Sequence, residues 1–148
     1  MKKSDILYEQ DFVAWCEDTA NKLKKRDLDH LDFENLIEEI ESLGRSDRRE
    51  LKNRLTVLFA HILKRIYVNS PENFNGWELT IIEQRRQIQD LLEDSPSLKS
   101  YLAEILAKVY ANALNDVQFE YKQTEFPQTW QFEIETDLLL SQKYWEEQ

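Results

Sequence analysis

Leu98-Lys99-Ser100-Tyr101-Leu102-Ala103-Glu104-Ile105-Leu106-Ala107-Lys108-Val109, continuing through Ala113 to Val117, decides the fold class. Its apolar residues Leu98, Leu102, Ile105, Val109, Ala113 and Val117 fall at steps of three and four over about five turns, the period of a helix that buries one face. A half-buried strand would alternate in twos, and no such alternation is present. Ser95-Pro96, just ahead, supplies an N-cap hydroxyl and a proline suited to the first helical position, where its missing N–H has no partner to lose.

The same step recurs outward from this segment. Trp77, Ile81, Ile88 and Leu92 form one stripe, and Leu51, Leu55, Leu58, Ile62 and Ile66 another. Phe33, Leu36, Ile37, Ile40 and Leu43 trace a stripe that ends at Gly44, and Tyr8, Phe12, Trp15, Thr19 and Leu23 the earliest one, so in chain order the stripes that begin at Tyr8, Phe33, Leu51, Trp77 and Leu98 are the first to the fifth and mark helices one to five. Gly44 reads as a left-handed helix cap, so a short link at 44–46 is expected to turn helix two back antiparallel to helix three. Asn69-Ser70-Pro71 is expected to stop helix three, and Asn75-Gly76 to lie in a loop before helix four. After Tyr121 the run Gln123-Thr124-Glu125-Phe126-Pro127 breaks the pattern, and a short, weakly periodic helix is expected between Ile134 and Trp145. With only two glycines and three prolines, the chain lacks the turn residues that many strands require. The expectation is an all-α, single-domain helical bundle over 1–148, of about five to six helices with four long antiparallel ones at its core and a less regular tail over 128–148.

Composition narrows the function classes. The 148 residues carry a formal charge of −10, with 29 acids against 19 bases, which repels polyanions at long range and disfavours nucleic acid as a partner. Cys16 is the only cysteine, so neither an internal disulfide nor a cysteine zinc cluster can form, and a reducing cytoplasm is the expected location. The opening Met1-Lys2-Lys3-Ser4-Asp5 does not lead into an apolar signal core, and no apolar run approaches the roughly 18 residues of a membrane span.

Beyond these stripes, longer motifs stand in a recognisable order. Tyr8-Glu9-Gln10-Asp11-Phe12 with Trp15 is followed by Asn35-Leu36-Ile37-Glu38-Glu39-Ile40-Glu41-Ser42-Leu43-Gly44-Arg45-Ser46, then His61-Ile62-Leu63-Lys64. Trp77, Thr80-Ile81, Gln84-Arg85-Arg86, the run from Leu91 to Leu98, and Tyr110 come after. In this order and spacing residues 8–127 resemble a bacterial, largely cyanobacterial, domain-of-unknown-function family numbered 29. The resemblance implies an all-helical protein in which the domain fills nearly the whole chain, and it supplies no activity.

Candidate chemistry is sparse. Residues 45–65 hold seven bases and two acids, whereas residues 1–44 hold six bases and twelve acids. Arg45, Arg48, Arg49, Lys52, Arg54, Lys64 and Arg65 thus make the third stripe locally basic, a pattern that can meet phosphates but that more often forms internal pairs. If the chain reverses at Gly44, Asp32 and Glu39 are expected to flank Arg54 and His61, giving a polar cluster. Arg85 lies within about 50° of the centre of its stripe, where an unpaired charge is costly, so it requires a carboxylate lock or an anionic ligand. Asp32, Glu39, Arg54, His61 and Arg85 are therefore the candidate polar cluster. No catalytic residue is assigned. Neither histidine is preceded at three residues by a glutamate, Glu38-x-x-Glu41 stands alone without a Glu-x-x-Asp, and no metal or cofactor is expected. Trp130 and Trp145, in a tail with seven acids and two bases after residue 119, are the candidate partner surface. The leading expectation is a non-enzymatic cytoplasmic module that binds another protein or a second copy of itself. The alternative is an enzyme or binding protein for a phosphorylated small molecule or nucleic acid, built on the polar cluster.

Overall fold

A computed structural model describes residues 3–146 of the chain, with side chains from Ile6 onward. It is an all-α helical bundle. Its helices are α1 (Lys3–Gln10), α2 (Phe12–Lys24), α3 (Phe33–Tyr67), α4 (Pro71–Asp94), α5 (Leu98–Glu120) and α6 (Thr136–Leu139), with 3-10 turns at Leu28–His30 and Tyr144–Glu146. The chain clusters into two compact units, residues 1–46 and 47–148.

Three boundaries differ from the periodicity reading, each for a local reason. The first stripe is split at Asp11, whose extended backbone ends α1 and whose side chain accepts a hydrogen bond from the Ala14 N–H at 3.1 Å, capping α2. The reversal expected at Gly44 does not occur. α3 runs 35 residues without interruption through that position, and Gly44 has no positive φ. Arg45 reaches back along the helix to Glu38 at 2.7 Å and Glu41 at 3.8 Å, so ion pairs span the glycine, and one interior glycine costs only about 1 kcal/mol against helix propagation. The segment after Pro71 is helical rather than looped. Ser70 precedes proline at the start of α4, and the Asn73 N–H donates to the Ser70 carbonyl at 2.9 Å. Asn75-Gly76 accordingly sits inside α4.

Among the described residues of the first unit, Trp15, Thr19, Leu31 and Asp32 are buried. Tyr8, Phe12 and Trp15 cluster with ring centroids 4.9–5.9 Å apart. α2 ends in a left-handed cap: Arg26 has φ of 60°, the Arg26 N–H donates to the Leu23 carbonyl, and the Asp27 N–H donates to the Lys22 carbonyl. Asp32 then caps α3 through its contact with the Asn35 N–H at 3.3 Å. On α3, however, the second stripe is not buried. Phe33, Ile37, Ile40 and Leu43 are 50%, 53%, 60% and 69% exposed.

The second unit holds the main core. Leu51, Leu55, Leu58 and Ile62 of α3 pack with Ile81 and Ile88 of α4 and with Leu102, Val109, Ala113 and Val117 of α5. At about 25 cal/mol per Å² of apolar surface, such fully buried side chains are the dominant favourable term in the unit. The chain after α5 closes onto this core. Leu139, Leu140 and Tyr144 are buried, and Trp130 sits 5.0–5.9 Å from the rings of Phe59, Tyr110, Phe132 and Tyr144. The Tyr110 hydroxyl donates to the Pro127 carbonyl at 2.6 Å and pins the start of the segment, while burial pushes that phenol up to about 12.

Candidate functional site

The five residues of the expected polar cluster have separate local partners. Asp32 caps α3, with its second oxygen 2.6 Å from the Asn35 side-chain amide. Glu39 accepts a short hydrogen bond from the Tyr8 hydroxyl. That carboxylate holds the Tyr8 phenol protonated, up to about 12. Both partnerships lie inside the first unit. In the second unit, the Arg54 guanidinium donates to Glu50 at 2.9 Å and to the Gln84 side-chain oxygen at 3.2 Å, which joins α3 to α4. His61 bonds through Nδ1 to the Val57 carbonyl at 2.8 Å, and burial drives its pKa down from 6.5. The imidazole is therefore kept neutral, the opposite of what a facing carboxylate would do. With α3 continuous through Gly44, the reversal that would have set Glu39 against Arg54 is missing, and the acid–base pairing that depended on it is not formed.

Arg85 meets two backbone carbonyls where a carboxylate lock was the expected structural partner. It is 8% exposed. Its Nε–H donates to the Leu139 carbonyl at 3.0 Å and an Nη2–H to the Gln142 carbonyl at 2.6 Å. Leu139 is the last residue of α6, so a cation from α4 meets the negative end of that turn and fastens the C-terminal segment to the core. Burial lowers the Arg85 pKa, with the neighbouring Tyr144 as the only opposing influence.

Trp130 and Trp145, the expected partner surface, also belong to this fastening. Both are half-buried and packed against the core. Trp145 lies 5.5 Å from the Arg65 guanidinium, which also stacks on Phe74 at 3.8 Å and contacts Glu78 at 3.4 Å. The basic third stripe is likewise largely engaged. Arg45 pairs with Glu38, Arg48 lies over the Tyr101 ring at 5.2 Å, Arg54 pairs with Glu50, Lys64 with Glu120 and Arg65 with Glu78.

Among the described residues, three of the surfaces open to a partner bear on function. One is the apolar face of α3 in the first unit, where Phe33, Ile37, Ile40 and Leu43 are exposed, with Glu34 and Glu41 along one side. The second is an apolar pocket of about 300 Å³ beneath the C-terminal segment, between Phe59, Leu106, Tyr110, Trp130, Ile134 and Leu139. The third is a cleft of about 420 Å³ beside Arg85, where Arg86, Gln89, Ser141 and Lys143 share the lining with Ile82, Leu140 and Trp145. Sequence reasoning reached Arg85 but missed Arg86 and Lys143. Arg86 was visible as the exposed neighbour of an arginine on an apolar stripe, whereas nothing in the weakly periodic tail marked Lys143. Among the described residues, no three His, Cys, Asp or Glu side chains group closely enough to hold a metal ion, and no helix is long and apolar enough to cross a membrane.

Fold and surface together define a class: an all-α protein with a tail-clasped helical core and an N-terminal unit bearing an open apolar helix face. The chain matches the family described as Domain of unknown function DUF29 over residues 7–145 and belongs to that family. The match runs past the 8–127 resemblance and takes in the tail through Trp145. Neither the curated proteins nor the solved structures compared with the chain gave a match.

Proposed function

We propose that this chain is a non-enzymatic, cytoplasmic protein-interaction module whose contact surface is the face of α3 formed by Phe33, Ile37, Ile40 and Leu43. The observation that carries the reading is their exposure, between 50% and 69%, at helical spacing on one face. Contiguous exposed apolar side chains of this size mark interaction sites more often than inert surface. The lone Cys16, an exposed free thiol, fits a reducing compartment.

Chemistry specifies the partner. Glu34 and Glu41 border one side of the stripe, while Glu38 projects nearly opposite it and pairs with Arg45, which also approaches Glu41. An amphipathic helix with its own apolar stripe and a basic flank complements this face, the groove-docking mode in which residues spaced i, i+4 and i+7 act as anchors. The test compares affinity capture by the wild-type chain with capture by an Ile37→Glu/Ile40→Glu variant, followed by titration of the captured partner's basic amphipathic helix as a synthetic peptide. Both substituted positions are exposed, so circular dichroism and thermal unfolding are expected to stay unchanged while the variant loses the peptide. Equal peptide binding by both proteins would overturn the proposal. So would sedimentation showing that the face is filled by a second copy of this chain.

A further inference from the structure

We propose that the cleft between α4 and the C-terminal segment binds a phosphate monoester of a small organic molecule, held by Arg86 and Lys143 above the buried guanidinium of Arg85. The inference is independent of the α3 face and rests on the imbalance of charge in the cleft. Arg85 satisfies two N–H groups with the carbonyls of Leu139 and Gln142, but carbonyls are neutral, and among the described residues no carboxylate lies within 4 Å of it. Its charge is therefore buried and hydrogen-bonded without being cancelled. Arg86, one residue on, is exposed and forms no ion pair among the described residues. Lys143 reaches only Glu146, at 3.9 Å and with both side chains well exposed. Glu78, the one acid in the lining, already receives Arg65 at 3.4 Å.

The cleft thus gathers three cations around one neutralised acid, in a chain whose net charge is −10. A doubly charged group answers that excess better than a single carboxylate does. The guanidinium of Arg86 offers paired N–H donors matched to two phosphate oxygens, Lys143 adds a mobile point charge, and the Gln89 amide supplies a neutral donor. The space, about 420 Å³, exceeds what a bare phosphate fills. The Trp145 ring, also in the lining, offers an apolar wall for the organic part of a monoester.

The test is calorimetric titration of the full chain at low ionic strength with phenyl phosphate, inorganic phosphate and benzoate, in buffer free of other oxyanions. Phenyl phosphate is expected to bind saturably with Kd on the order of 1 mM, tighter than inorganic phosphate, and to weaken as sodium chloride rises. Arg86→Gln and Lys143→Gln, both at exposed positions, are each expected to weaken phenyl phosphate by about tenfold, whereas Arg49→Gln on α3 leaves it unchanged. The idea fails if phenyl phosphate shows no saturable heat, if Arg86→Gln and Lys143→Gln bind it as the wild type does, or if benzoate binds equally well, which would make this a carboxylate site.

Discussion

Arg85 shows how a residue can be costly where it lies and still be structural. A guanidinium near the middle of an apolar helix face needs acceptors, and the chain supplies two backbone carbonyls from a segment more than fifty residues away. Replacement by methionine, which fits the apolar surroundings, removes the donors and leaves the Leu139 and Gln142 carbonyls unsatisfied. Arg85→Met is expected to lower stability by about 3 kcal/mol in urea unfolding. Tryptophan fluorescence at low urea should shift to the red as Trp130 and Trp145 become wetter; an unchanged spectrum and stability would show that the segment is held without this clasp. His61 supplies the pH-dependent counterpart. Its folded pKa lies below 6.5, so both folded and unfolded chains are neutral there above that value, and on acidification the unfolded chain takes up the proton first. The stability associated with neutral His61 is present above pH 6.5 and is lost as pH falls through the folded pKa. His61→Gln should flatten the slope of melting temperature against pH below about 6.5. His30 runs the other way: the Asp27 carboxylate raises its pKa, so its stabilisation is present below 6.5 and fades as pH rises through the folded value.

At the scale of elements, two positions exchange the roles that residue type alone assigns. Gly44 was expected to adopt the left-handed cap and instead lies inside α3, while Arg26 takes the left-handed conformation that closes α2. A Cβ built at Gly44 meets nothing within 4 Å, so alanine there carries no steric penalty and restricts the unfolded chain. Gly44→Ala is expected to stabilise the protein by about 0.5–1 kcal/mol in chemical denaturation. A loss of stability instead would mean that the position is a turn after all. Most of the fold was legible because five stripes have helical period and all lie in helices. What periodicity could not carry was whether successive stripes share one helix. Phe33, Ile37 and Ile40 continue the same face as Leu51 and Leu55 in steps of three and four, and only the glycine suggested a break. The turn that was to bring Glu39 to the level of Arg54 is absent for the same reason. Burial was illegible for a related reason: an apolar stripe states what a helix can cover, and Ile40 shows that it does not state that anything covers it. The clasp at Arg85 lay outside sequence reach because its acceptors are main-chain groups, which every residue carries alike.

Across the whole chain, the two units differ in how much apolar surface each has to resist opening. Among the described residues of 1–46, the large apolar side chains that are buried are Trp15 and Leu31, and the Trp15 indole N–H is buried without an acceptor among the described residues. An unsatisfied buried donor costs about 1–3 kcal/mol. Residues 47–148 bury a continuous core from α3, α4, α5 and the C-terminal segment, with Leu51, Leu55, Leu58, Ile62, Ile81, Ile88, Leu102 and Val109 all fully covered. Local opening free energy follows the buried contacts that must be broken, so the smaller unit should open well below the global unfolding free energy. Native-state hydrogen exchange of the full chain is expected to protect the amides of α2 less than those of α5 by at least about 2 kcal/mol of opening free energy. The difference should persist as low urea is added and disappear only near the midpoint. Protection in α2 equal to that in α5 would instead make residues 1–148 a single cooperative domain. It would also require the α3 face at Phe33, Ile37, Ile40 and Leu43 to be supported as firmly as the core, although the side chains that form it face solvent.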